Sequence, residues 1–255
     1  MRWRTVQEFR HQDRTMLVRR PEGEGDGPAF VLVHGIGVSA RYFTRLARAL
    51  APHGTVHAVE LPGFGAAPRP PEPLTIEEHA ATLDAWVREA GLEQPVVVGH
   101  SMGVQVVLEA ALQDPRIWSA VVAVGGVVDP AARTATQQAL RLAHDMLLEP
   151  PLANWAVLTD YLRTGPRWYL RTLPHMLGYR TEETLPRLEV PLLVMRGARD
   201  PIASAAWVEH MRRLAPDARL VEVQGAAHVA MYSRPEVVAG QVLAHARAAA
   251  GREPA

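Results

Sequence analysis

Residues 95–103 read Pro95-Val96-Val97-Val98-Gly99-His100-Ser101-Met102-Gly103, and the fold turns on them. Three consecutive valines present apolar surface to both sides, which predicts a strand buried between two layers. After the glycines the period changes. Residues 102–113 place apolar side chains at helical spacing, so a helix leaves the same turn. Between strand and helix stands Gly99-His100-Ser101-Met102-Gly103, a G-x-S-x-G pattern in a strand–turn–helix context. The spacing has a steric reason. So sharp a turn forces the serine backbone into an unfavourable conformation, and side chains two residues to either side would strike the neighbouring strand and helix. The result is an exposed Oγ at a helix N-terminus, where free N–H groups and the helix dipole favour a developing oxyanion.

Working toward the N-terminus, residues 55–59 and 29–33 are further apolar strand runs, the second ending at His34-Gly35. Residues 41–51 are helical in period. Thr75 and Glu78 form a capping box that opens a helix ending near Gly91. Residues 3–9 and 14–19 alternate around His11-Gln12-Asp13 and predict a hairpin. Toward the C-terminus, 117–124 is a strand, and then the alternation stops. Residues 127–187 show only helical patterns, at 140–148, 152–162 and 166–173. Strand and helix resume at 191–195, 203–214, 218–223 and 235–250, and 251–255 is expected to fray. Strands alternating with helices predict an α/β fold: a mostly parallel sheet with helices on both faces and right-handed crossovers. The core is 1–126 with 188–255, and 127–187 is a helical cap inserted into it.

Composition narrows the chemistry. The chain has 255 residues, 27 acidic and 27 basic, and every basic residue is Arg. A formal charge of zero argues against a polyanion partner, so no nucleic-acid or membrane partner is expected. Cys is absent, which removes thiol nucleophiles and Cys-based zinc sites. The lack of Lys removes Schiff-base chemistry. No metal or cofactor is expected. No apolar run reaches the length of a signal peptide or a membrane span, so a cytoplasmic location is expected.

The chain resembles an α/β-hydrolase with a helical cap, a serine hydrolase of esterase-like type. Besides the serine turn, the likeness rests on His34-Gly35-Ile36-Gly37 in the place of an oxyanion loop and on Leu61-Pro62-Gly63-Phe64-Gly65 after the next strand, where Glu60 replaces the usual Asp. Arg196-Gly197-Ala198-Arg199-Asp200-Pro201 resembles the acid loop, and Gly225-Ala226-Ala227-His228 the histidine loop. The resemblance implies Ser101 as nucleophile, His228 as general base and Asp200 as the acid that orients it, in the chain order this fold uses. It implies an oxyanion hole from the main-chain N–H groups of Ile36 and Met102. The pocket is expected from Gly35, Gly37, Phe64, Trp155, Tyr161 and Val229. Asp129, after the strand at 117–124, is a rival acid. His34 and His100 are expected to pack and hydrogen-bond locally.

A serine nucleophile favours acyl transfer to water from a small-molecule substrate. An Asp there would instead point to dehalogenase or epoxide hydrolase chemistry. The first expectation is cleavage of small to medium apolar carboxylic esters. Thioester and lactone hydrolysis remain open. Carbon–carbon bond hydrolases of this fold usually carry Trp after the histidine, where this chain has Val229. A slow-turnover ligand receptor is the alternative from another class. The cap carries seven Arg and six acidic residues, which makes no case for an anionic substrate; Arg167 and Arg171 are expected on a solvated face.

Overall fold

The computed structural model describes residues 3–23 and 25–251. Most of the expected frayed tail, and the first two residues, lie outside them. Strands β1 (Trp3–His11) and β2 (Arg14–Pro21) form the expected hairpin. Then follow β3 (Phe30–Val33), α1 (Thr44–Leu50), β4 (Val56–Glu60), α2 (Ile76–Glu89), β5 (Val96–His100), α3 (Met102–Gln113) and β6 (Ala120–Val124). Helices α4 (Ala135–Leu148), α5 (Pro151–Thr164), α6 (Pro166–Gly178) and the single turn α7 (Thr181–Thr184) come next. The chain closes with β7 (Leu192–Gly197), α8 (Ala205–Leu214), β8 (Ala218–Val223), the short α9 (Ala230–Ser233) and α10 (Pro235–Ala250).

The eight strands form one sheet in the order β1-β2-β4-β3-β5-β6-β7-β8. The first two strands run antiparallel to their neighbours, and β4, β3, β5, β6, β7 and β8 pair in parallel. Every residue of β3, β5, β6 and β7 is buried. Alternate residues serve two cores, one on each face. Val31, Val33, Val97, Val121 and Val194 pack with Leu83, Trp86, Val107 and Trp207 of α2, α3 and α8. Phe30, Leu32, Val98, Val122 and Met195 pack with Leu46, Val238 and Val242 of α1 and α10. This two-sided burial is why the central strands read as unbroken apolar runs. The edge strand β8 is only partly buried.

From β3 the chain passes through α1 to β4 on one side. It then returns through α2 to β5 on the other side of β3. The loops leaving β3 and β5 therefore diverge, and a crevice opens at their C-terminal ends, where sites in such sheets form. The capping box of α2 is present: Glu78 N–H donates to Thr75 Oγ1 at 3.2 Å, and Thr75 N–H to Glu78 Oε2 at 2.9 Å. Glu60 accepts both Nε and Nη2 of Arg19 (2.7 and 3.1 Å) and the amide of Ala66 (2.9 Å). The longer side chain thus anchors the 61–65 turn to β2.

Helix α6 runs past the expected end at residue 173, through Pro174, to Gly178. A mid-helix proline removes one donor, and here packing outweighs local propensity: Trp168, Thr172 and Met176 form one buried face spanning the proline. Helices α4–α7 make up the cap over the crevice. They are stitched to the loop after β3 by Asp160, which accepts from Ser39 Oγ (2.6 Å) and Arg41 Nη1 (3.2 Å), and by Thr164 Oγ1, which donates to Gly37 O (2.9 Å).

Candidate active site

Ser101 sits at φ 56°, ψ −122°, between β5 and α3. A left-handed φ is costly for a residue with a Cβ, and here the surrounding contacts impose it. A Cβ on Gly99 would lie 2.4 Å from the carbonyl oxygen of Gly103, inside α3. A Cβ on Gly103 would lie 2.2 Å from the carbonyl oxygen of Val33, on β3. The two glycines thus let strand, turn and helix close on each other. Ser101 N–H donates to Val124 O at 3.1 Å, tying the turn to the end of β6. Met102 supplies the first N–H of α3, one of the amides that no helical carbonyl takes.

His228 lies after β8, and its Nδ1 is 2.9 Å from Asp200 Oδ2 on the loop after β7. Asp200 Oδ1 accepts the amides of Ile202 (2.8 Å) and Ala203 (3.0 Å), so both oxygens are committed. Burial opposes the Asp200 charge, yet His228 and these amides hold its pKa below the usual range. Burial likewise disfavours the His228 imidazolium. The carboxylates of Asp200, then Asp145 and Glu149, outweigh it and push the pKa up to about 9. Arg196 fixes the acid loop, donating to Asp200 O (2.9 Å), Ala203 O (2.8 Å) and Glu222 Oε1 (2.6 Å). The rival acid is engaged elsewhere. Asp129 accepts Arg141 Nη1 and Nη2, Ser204 Oγ and the amide of Ala131.

Two further histidines hold the loops in register. His34 Nδ1 donates to Gly35 O (2.8 Å), and its Nε2 accepts the amide of Leu61 (3.0 Å). His100 Nε2 donates to the carbonyl of His228 (3.0 Å); its Nδ1 accepts the Tyr42 hydroxyl proton (2.8 Å), and that hydroxyl accepts Gly35 N–H (2.9 Å). The partners set both tautomers, since a carbonyl only accepts and an amide only donates. Burial keeps His100 neutral, with a pKa of about 3. The loop after β3 and the histidine loop are therefore joined through Tyr42 and His100.

Ser101 and His228 open into one cavity of about 60 Å³. Gly35, Ile36, Tyr161 and Val229 line it, together with Val127, Leu142, Val157, Tyr169, Met176 and Ile202. Three expected pocket residues lie elsewhere. Trp155 is 67 % exposed, because it falls on the outward face of α5, whose inner face presents Ala153, Val157 and Tyr161. Phe64 is buried in the core against His34, ring centroids 5.5 Å apart. Gly37, at φ 78°, faces the Tyr161 and Tyr169 rings from behind; a Cβ there would stand 2.7 Å from Tyr161. Arg167 is exposed, and Arg171 pairs with Glu72. Asp145 and Gln138, polar residues on the inner face of α4, also reach the cavity. Sequence reading missed them as site residues, although positions 138, 142, 145 and 149 repeat at helical spacing on one face.

The chain belongs to the α/β hydrolase family, whose model matches residues 30–241, and the protein is a hydrolase. Among curated relatives, polyketide synthase ThaQ of Burkholderia thailandensis is 29 % identical over 248 residues, 86 % of this chain; the chain spans only 12 % of that protein. A pimeloyl-[acyl-carrier protein] methyl ester esterase of Xanthomonas axonopodis pv. citri is 28 % identical over 232 residues, 80 % of this chain and 89 % of that one. Among solved structures, a bacterial membrane phospholipase A matches with a TM-score of 0.82 at 19 % identity, over 97 % of this chain and 87 % of that chain. At that identity the match speaks to the fold. No helix among the described residues is long and apolar enough to cross a membrane.

Proposed function

We propose that the protein is a serine esterase that cleaves carboxylic esters of small to medium apolar substrates through an acyl-enzyme. The observation that carries this reading is convergence. Ser101, on its strained turn, and His228, held at Nδ1 by Asp200, open into the same apolar-lined cavity. With Nδ1 bound to Asp200, Nε2 is the nitrogen left to take the Ser101 proton as Oγ attacks the ester carbonyl. The amides of Ile36 and Met102 receive the oxyanion, a contribution of about 3–4 kcal/mol per donor in favourable cases. The imidazolium returns its proton to the departing alkoxide. Water, deprotonated at the same Nε2, then attacks the acyl-Ser101 carbonyl and releases the acid.

The chemistry uses three side chains and two backbone amides, and it calls on no cofactor or metal. The cavity is lined mostly by apolar side chains, which suits an uncharged acyl group. The similarity to a methyl ester esterase supports the ester reading; its carrier-bound substrate is not transferred to this chain. The test is turnover of p-nitrophenyl acetate and butyrate with labelling by a fluorophosphonate. Ser101→Ala should lose both while its melting curve is kept. A wild-type protein that neither turns over nor labels would sink the reading.

A further inference from the structure

Asp145 and Glu149 stand four residues apart on the inner face of α4 and its C-terminal cap, so both face the histidine loop. Asp145 Oδ1 accepts the main-chain N–H of His228 at 3.0 Å, and Glu149 Oε1 accepts the next one, of Val229, at 2.6 Å. Only 4 % of Asp145 and 6 % of Glu149 is exposed. Neither forms an ion pair with an Arg among the described residues, and Glu149 Oε2 is buried with no partner. Burying two carboxylates without a cation is costly, and satisfying two loop amides does not require charged acceptors.

The group that complements them is the imidazole of His228. Asp200 faces it at Nδ1, the neutral His100 ring lies 4.6 Å away between centroids, and Asp145 and Glu149 close in from α4; exposed His144 and, on α5, the Tyr161 hydroxyl are further titratable groups near Asp145. Burial raises the pKa of Asp145, and that of Glu149 to about 7, so the cost of their charge is real while the imidazole is neutral. It falls when His228 accepts a proton.

We infer that Asp145 and Glu149 are positioning residues: the cap grips two successive amides of the histidine loop and sets the imidazole against Ser101, so the position of the cap governs whether the base is in place. The inference rests on the serine hydrolase reading given above. It makes α4 part of the catalytic apparatus rather than only a roof. A displacement that lifts α4 releases both amides together, and the loop then keeps the His100 tie to the His228 carbonyl, the Arg199 amide on Ala226 O and the Asp200 contact at Nδ1.

The test compares wild type with Asp145→Asn, Glu149→Gln and, as a control on an exposed cap acid, Glu183→Gln. For each, kcat and KM on p-nitrophenyl butyrate are followed across pH, and the His228 ring is titrated by NMR. Each clamp variant exchanges a charge-assisted bond for a neutral one. The expected results are a fall in kcat of about tenfold, KM within about twofold, and a His228 midpoint lower by about half a pH unit or more. Glu183→Gln should behave as wild type. Unchanged kcat and midpoint overturn the inference, as does a loss of kcat that accompanies a collapsed melting temperature with an unmoved midpoint. If Glu149→Gln fails to fold, Glu149→Asp keeps the charge on a shorter arm. It should hold the midpoint and lose kcat, and wild-type kcat in that variant also overturns the proposal. The NMR midpoint needs no turnover, so it separates failure of the clamp from failure of the Ser101 reading, which Ser101→Ala decides.

Discussion

Asp200→Asn is the most informative single substitution, because the structure dictates which way the new amide must face. Asp200 Oδ1 accepts two buried amides, Ile202 and Ala203, and Oδ2 faces His228 Nδ1. In the variant the carboxamide oxygen has to serve the two amides. The reverse orientation would leave both N–H groups without an acceptor, at about 1–3 kcal/mol each. The NH2 group therefore points at Nδ1 and donates to it. That moves the ring proton to Nε2, the nitrogen that must accept from Ser101. The tautomer is wrong although the geometry is intact, and the expected loss is about 10⁴-fold in kcat, or ~5.5 kcal/mol. The assay is steady-state hydrolysis of p-nitrophenyl butyrate with a melting curve on each protein. Asp129→Asn is the partner experiment. Its carboxylate is committed to Arg141, Ser204 and Ala131, so it should lower stability while kcat stays within about tenfold. A loss smaller than tenfold in Asp200→Asn, or a larger loss in Asp129→Asn, would refute the assignment of the acid.

Three further outcomes follow from the same structure. In the proposed mechanism His228 must be neutral to accept the Ser101 proton, and its raised pKa of about 9 keeps it charged below that pH. Log kcat/KM should therefore rise with pH at a slope near one between about pH 7 and 8.5, and a flat profile there contradicts the account. Gly103→Ala drives a Cβ into the backbone of β3 and should cost about 3 kcal/mol or more, whereas Gly240→Ala, with open space in α10, should be neutral or stabilising by about 0.5–1 kcal/mol; chemical denaturation of both checks the contrast. Buried Asp84 has a folded pKa of about 8, raised by desolvation from an ordinary 3.8. The folded state then binds a proton that the unfolded state has lost, so wild-type stability falls as pH rises between those values. Asp84→Asn should gain on wild type by roughly 1.4 kcal/mol per pH unit across that window, and parallel stability curves would refute this.

What could be read from the sequence follows from which physical signals are local. The central strands were legible because a strand covered on both faces must be apolar at every position, as Val96, Val97 and Val98 are. The serine turn was legible because its two glycines answer to backbone contacts within a few residues and one strand away. The start of α2 was legible because both bonds of its capping box lie within four residues of sequence. Cap orientation was not. An aromatic at position 155 and one at 161 carry the same promise in sequence, and only the packing of α5 turns Trp155 outward and Tyr161 inward. The course of α6 past Pro174 was hidden for a related reason, since proline signals an end that Trp168, Thr172 and Met176 override by burial.

The balanced charge count concealed the distribution that matters most for the site. Asp145, Glu149 and Asp160 are all of the carboxylates on α4, α5 and α6 or at their ends, and each is buried. Asp160 grips Ser39 and Arg41 beside the loop that carries Ile36, while Asp145 and Glu149 grip the loop that carries His228. The helical insertion is therefore fastened by buried charge on both sides of Ser101. Fastening of this kind is directional, because a buried carboxylate without its donors is costly and has no second place to dock. A cap held by apolar packing alone could slide by small steps. One held at these carboxylates has a defined seat, and on the inference drawn for Asp145 and Glu149 that seat keeps the proposed base and the proposed oxyanion amides in register.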